Sequence, residues 1–224
     1  MTTIAADIKL PLYDIENDVP DDPNAYGLVG WLENDESFLI YDQFDIWQID
    51  PMGVKPSINI TGGLGRKNNL VLRNIILDRE ARFIKNNQTL LLNVFNQKNK
   101  GSGLKTHIMG TLFEITASTA TLPMRISAVS KAKDASVLSF GTETFQRSTN
   151  ISVIDWKPNS LLQDVQTAIS LHQPNPQQAQ YNWGTAELFT WKSYTGKIAE
   201  GLVYKPEDFD PKKKYPMIAY FYER

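Results

Sequence analysis

A chain of 224 residues, 42% of them hydrophobic, can bury one large β domain or two small ones. Its 23 basic and 25 acidic side chains leave a formal charge of -2, too weak a field to steer it onto nucleic acid or an anionic membrane, so no nucleic-acid partner is expected. The absence of cysteine excludes disulfides, thiolate metal sites and cysteine nucleophiles, and no run approaches the roughly 18 apolar residues of a membrane span.

Residues Met1 to Lys9 lack a basic start followed by a long apolar stretch, so no signal peptide is expected; the chain reads as soluble, with no compartment specified. The first predicted strand is Tyr26 to Trp31. A polar turn then leads into an apolar strand, Asn34 to Tyr41, and the same pattern returns at Asn86 to Asn93 and at Lys133 to Phe140. Ser37 and Thr89 are 52 residues apart and Thr89 and Ser136 are 47 apart, close to the period of roughly 40 to 50 residues of propeller blades. A second strand follows each unit, seen in Asp45 to Asp50 and Asn150 to Asp155, where Ile46, Ile49 and Asp50 match Ile151, Ile154 and Asp155; the middle copy, Leu104 to Met109, is poorer. Leu70 to Leu77, Phe113 to Ala117 and Arg125 to Val129 are further strand candidates.

The apolar runs are nearly continuous, as in strands covered on both faces. Hairpins of a β sandwich give the same spacing, and three repeats are fewer than the roughly four to eight blades that close a ring. The expected fold is mainly β: a partial β-propeller of about three blade-like repeats over residues 1–158, followed by the first strands of a second domain. Residues 159–182 read as the connector. There Leu161, Leu162, Val165 and Ile169 fall near one helical face, Asn159 or Ser160 could cap it, and Pro174 and Pro176 end it. Residues 183–224 then supply a hairpin, Leu188 to Trp191 and Ile198 to Tyr204, and a final apolar strand, Met217 to Tyr222.

Asn175-Pro176-Gln177-Gln178, Tyr181-Asn182-Trp183-Gly184, Glu187-Leu188, Gly196, Tyr204-Lys205-Pro206, Phe209-Asp210-Pro211 and Lys214-Tyr215-Pro216 with the strand after it resemble the propeller-to-hydrolase junction of the prolyl oligopeptidase superfamily of serine peptidases, in particular its dipeptidyl-peptidase-IV-like and acylaminoacyl-peptidase-like branches. Tyr41 to Pro51 looks like blade strands of the same proteins. The resemblance implies a propeller that restricts peptide access to an α/β-hydrolase site built on Ser, Asp and His. It also implies that Tyr222, at the end of the Lys-Tyr-Pro strand, stands where these peptidases place a hydroxyl donor to the tetrahedral oxyanion. The chain departs from the family in having no Gly-x-Ser-x-Gly, and His107 and His172 precede the hydrolase entry, so neither occupies the place of the triad base. The expectation is a piece of such a peptidase that acts on peptides only as part of a longer protein, is inactive alone, uses no cofactor or metal, and self-associates through exposed blade edges. The alternative is a free-standing β module that binds peptide or carbohydrate.

Three other patterns have bland readings. Asp42, Asp45 and Asp50 with Glu33, Asp35 and Glu36 could form a calcium cluster or an acid/base pair for glycan cleavage. They lack EF-hand spacing and read as solvated turns. Gly62-Gly63-Leu64-Gly65-Arg66-Lys67 lacks the Gly-Lys-Ser/Thr of a phosphate loop and reads as a blade turn. Trp31, Trp47, Trp156, Trp183 and Trp191 could line a carbohydrate or peptide groove, but their spacing favours two or three of them as packing between blades.

Overall fold

The computed structural model describes residues 4–115, 121–156, 165, 167–172 and 174–221. Those residues are mainly β and form four antiparallel sheets, none of them closed. Sheet 1 contains β1 (Leu28–Trp31), β2 (Phe38–Tyr41), β3 (Ile46–Ile49) and β4 (Ile58–Asn59). A helical turn, α1 (Leu64–Asn68), leads into sheet 2, made of β5 (Leu70–Ile75), β6 (Thr89–Asn96) and β7 (Ser102–Ile108). Sheet 3 holds β8 (Arg125–Lys131), β9 (Val137–Thr144), β10 (Arg147–Asp155) and β11 (Ile169–Ser170). A separate hairpin joins β12 (Thr185–Lys192) to β13 (Ile198–Lys205). Within every sheet, strands adjacent in sequence are adjacent in space.

The run Leu90-Leu91-Leu92 in β6 has a direct structural cause. Side chains alternate across a strand, so Leu90, Leu92 and Val94 enter a core shared with Leu39 and Ile46 of sheet 1, while Leu91 enters a second core with Leu104, Ile126, Leu138 and Phe140. Register agrees: Leu72 faces Val94 on the first side, and Ile75 faces Leu91 on the second. Sheet 2 is therefore covered by sheet 1 on one face and by sheet 3 on the other, and each leucine side chain fully buried there contributes roughly 1.5–3 kcal/mol.

The sequence repeat occupies equivalent places. Its three copies lead into β2, β6 and β9, the second strand of each sheet, and the matched Ile46–Ile49 and Ile151–Ile154 lie in the third strands, β3 and β10. A fourth position is only sketched: β4 and β11 have two residues each, and sheet 2 has in its place a single antiparallel bridge from Ser102 to Leu122. The chain between β5 and β6 also reaches back to sheet 1, where Ile84 forms a parallel bridge to Leu32 and its N–H donates to the Trp31 carbonyl at 2.7 Å.

Several predicted elements differ. Phe113 to Ile115 form no strand; Phe113 instead packs into the first core, edge-on to the His107 ring at 5.2 Å, and Ala117 lies outside the described residues. Leu161 and Leu162 of the expected connector helix also lie outside them. Ile169, placed on that helix by its spacing, pairs with Val153 as part of β11, so sheet 3 extends into the predicted connector. Met217 to Phe221 belong to no strand, since a strand needs a neighbouring backbone to take its N–H and C=O groups and none of the four sheets reaches them.

His107 lies opposite Leu90, on the face of sheet 2 that packs into the first core, and is 4% exposed. Burial, with a smaller contribution from the charge of Lys105, lowers its pKa from 6.5 to about 4, and its Nε2 has no hydrogen-bond partner. The unfolded chain takes up this proton below pH 6.5 and the folded chain only near 4, so the stabilising effect is complete above pH 6.5 and is lost as the pH falls toward 4. In urea melts across this window, the native chain should lose stability more steeply than His107→Gln; parallel profiles would contradict the assignment.

Candidate functional site

Tyr222, the predicted oxyanion donor, lies outside the described residues. The two histidines sit in unrelated settings: His107 is buried in the first core, and His172 is exposed just after β11, its carbonyl accepting the Ser170 hydroxyl at 3.3 Å.

The acidic residues of the β2–β3 hairpin are not solvated, contrary to expectation: Asp42 is 0% and Asp45 1% exposed. Asp42 Oδ1 accepts the N–H groups of Phe44 and Asp45 at 2.6 and 2.8 Å, and its Oδ2 accepts Trp47 Nε1–H at 2.9 Å. Asp45 Oδ1 accepts the Thr61 hydroxyl at 2.7 Å and Gly65 N–H at 2.9 Å, while Oδ2 accepts Arg66 N–H at 3.0 Å. Burial raises the pKa of Asp45, and the bonds from Thr61, Arg66 and Gly65 oppose that shift.

This contact accounts for the glycine-rich turn. Gly62 and Gly63 take positive φ, 63° and 69°, which glycine adopts without a Cβ clash. A Cβ on Gly65 would stand 2.8 Å from Asp45 Oδ1 and 2.8 Å from the Leu70 carbonyl oxygen. The turn thus receives a carboxylate of its own chain. Arg73, on β5, completes the clamp by donating to the carbonyls of Asp42 and Gln43 at 3.2 and 3.0 Å, with its guanidinium 4.6 Å from the centre of the Tyr41 ring.

Of the remaining carboxylates of the pattern, Asp35 and Glu36 are exposed, as expected, and two are engaged with backbone. Asp50 accepts Met52, Val54 and Lys55 N–H, and Glu33 accepts Asn86 N–H. Among the described residues no three His, Cys, Asp or Glu side chains converge as metal ligands. The pattern fits neither a calcium cluster nor an acid/base pair.

A cleft of about 450 Å³ opens instead where sheet 3 meets the junction segment. One wall is the start of β10, with Arg147 and Asn150. The other is the 3-10 turn Pro176–Gln180 with Tyr181, Trp183 and Glu207. Gln178 ties the walls together: its Nε2 donates to the Gln146 carbonyl at 2.5 Å, its Oε1 accepts Ser148 N–H at 3.4 Å, and its own carbonyl accepts Trp183 Nε1–H at 3.0 Å. Glu207 Oε2 accepts Trp183 N–H at 3.2 Å. Asn175, Gln178, Tyr181 and Trp183 were visible in the sequence as landmarks of a junction, with nothing to mark them as a cavity wall; Arg147 and Glu207 carried no signal. Trp183 stands on the cleft wall and is 39% exposed. A smaller cavity of about 150 Å³ lies between β1 and the β5–β6 connection, bordered by Asn74, whose Oδ1 is buried and without a hydrogen-bond partner.

No family model matches the chain, and no curated protein matches it either. Among the described residues no helix is long and apolar enough to cross a membrane.

Replacing Asp45 by Ala should leave the Gly65 and Arg66 N–H groups without their acceptor, the Thr61 hydroxyl keeping Asn59 Oδ1, and lower stability by about 2 kcal/mol or more. Asp50→Ala, in an exposed turn, should lower it by clearly less. Equilibrium urea unfolding of both variants checks this, and equal losses would contradict a special role for Asp45.

Proposed function

We propose that the chain is the portion of a prolyl-oligopeptidase-superfamily serine peptidase that runs from late propeller blades into the first strands of the α/β-hydrolase domain. In the whole enzyme a serine attacks the peptide carbonyl, the acyl-enzyme is hydrolysed, and the propeller limits which peptides reach the site. This chain carries no Gly-x-Ser-x-Gly to hold such a serine, and Tyr222 would serve only as one oxyanion donor in the assembled site.

The observation that carries the reading is the order of the sheets. Three sequential antiparallel meanders stack face to face, each with the sequence repeat at its second strand, and a hairpin distinct from them follows. Meanders stacked in this way are what successive blades would be. The hairpin bears apolar side chains on both faces: Leu188 pairs with Leu202 on one, and Phe189 stacks with Trp191 on the other at 5.6 Å. A two-stranded sheet is marginal by itself, so these faces suit the beginning of a larger sheet covered on both sides.

The binding-module alternative requires the late segment to complete a closed domain. Met217, Ile218 and Phe221 are instead 85%, 96% and 86% exposed, an arrangement that favours the peptidase reading.

The 224-residue chain should show no turnover of dipeptidyl or acylaminoacyl amide substrates; turnover blocked by a serine-directed phosphonate would overturn the claim that it is inactive alone. Coding sequence read beyond Arg224 should reveal a Gly-x-Ser-x-Gly followed by Asp and then His, and an immediate stop codon would count against the reading. Unpaired edges and exposed apolar faces also predict self-association in sedimentation velocity; a monodisperse, cooperatively melting monomer is the contrary outcome.

A further inference from the structure

We propose that the cleft between sheet 3 and the junction segment binds a small zwitterion derived from amino acids, either a free amino acid or a short peptide with both termini unblocked. The inference stands on the geometry of the cleft and does not depend on the peptidase reading.

Two opposite charges, Arg147 and Glu207, border this one cavity and form no ion pair with each other. Among the described residues the Arg147 guanidinium has no hydrogen-bond or ion-pair partner. Glu207 commits Oε2 to Trp183 N–H and leaves Oε1 open. A free guanidinium is a fork for a carboxylate, and a carboxylate oxygen accepts readily from an ammonium group. Unpaired charges of both signs bordering one cavity suit a ligand that carries both signs. A simple anion would meet Glu207, and a simple cation would meet Arg147.

The body of the ligand has its own surface. Tyr181 and Trp183 are 66% and 39% exposed beside Pro174 and Pro176, and flat rings of this kind take apolar or aromatic groups at little entropic cost. The volume of about 450 Å³ falls in the range of small-molecule sites, roughly 300–1,000 Å³. The walls are already tied by Gln178, which bonds to Gln146, Ser148 and Trp183, so a ligand need not organise them itself.

The test is titration of the full 224-residue chain with phenylalanine and with the dipeptide Ala-Phe, each in free, N-acetylated and C-amidated form, followed by the indole N–H resonance of Trp183. Free termini should give a saturable shift, and either block should weaken binding by about tenfold or more, equivalent to about 1.4 kcal/mol. Comparing phenylalanine with Ala-Phe distinguishes an amino-acid site from a peptide site. Glu207→Gln keeps an acceptor for Trp183 N–H and should abolish only the penalty for N-acetylation; Arg147→Gln should abolish only the penalty for amidation. Absence of a saturable shift, equal affinity for all three forms, or variants that weaken every form alike would each overturn the proposal. Should a variant fail to fold, the blocked and free ligands compared on the native chain decide the question.

Discussion

The architecture depends on sheet 2 being apolar on both faces. Leu90 and Leu92 point one way from β6 and Leu91 the other, so neither face can be left to water without exposing a continuous leucine surface. That requirement draws sheet 1 and sheet 3 onto the same strand from opposite sides and sets the stacking of all three. The outer sheets face a weaker demand. β9 sends Leu138 and Phe140 inward, whereas Ser139 and Gly141 occupy its other face, which is how a sheet reads when, among the described residues, its second face has no comparable apolar partner.

Polar contacts then fix what the apolar contacts leave free. Leucine packing tolerates small rotations of one sheet on another; hydrogen bonds in a fixed fork do not. Arg73 extends from sheet 2 to the carbonyls of Asp42 and Gln43, and Asp45 holds the turn at Gly65 and Arg66 that feeds β5. These bonds connect the β2–β3 hairpin to the first strand of the next sheet at the point where the chain passes between them. Burial is also why the pair is unsuited to chemistry: a general base needs a lone pair facing a reactant, and here both carboxylates are out of solvent with every oxygen accepting at least one donor from the chain itself.

How much of this was legible depended on the range of the interaction. The turn-to-strand repeat and the uninterrupted apolar run at β6 are local, and both led to the observed strands and their equivalent placement. The partner of Asp45 is a glycine twenty residues further on, and nothing in the spacing of either residue indicates the other, so the buried clamp read as solvated turns and the glycines as an ordinary turn. Ile169 fell on a helical face by periodicity because its actual partner, Val153, lies across a segment whose pairing no local pattern encodes. The apolar residues 217–221 have strand composition without a strand, since pairing is a property of neighbours and composition belongs to the segment alone.

The junction shows the same distinction at the level of a site. Trp183 has the composition of a core residue, yet its two N–H groups are spent on the Gln178 carbonyl and the Glu207 carboxylate, and those bonds leave the ring on the wall of a cleft. Gln178 in turn reaches the start of β10 through Gln146 and Ser148. The junction segment is thus anchored to sheet 3 by polar bonds along one line, while the hairpin beyond it touches the rest of the chain through few contacts, among them Phe145 on Tyr204 and the exposed pair Lys100 and Glu200. A surface ion pair of that kind holds little, roughly 0–1 kcal/mol. The polar ties of the junction segment to sheet 3 therefore end at the cleft, and beyond it the hairpin meets the β9–β10 turn through an aromatic contact of its own, Tyr204 on Phe145.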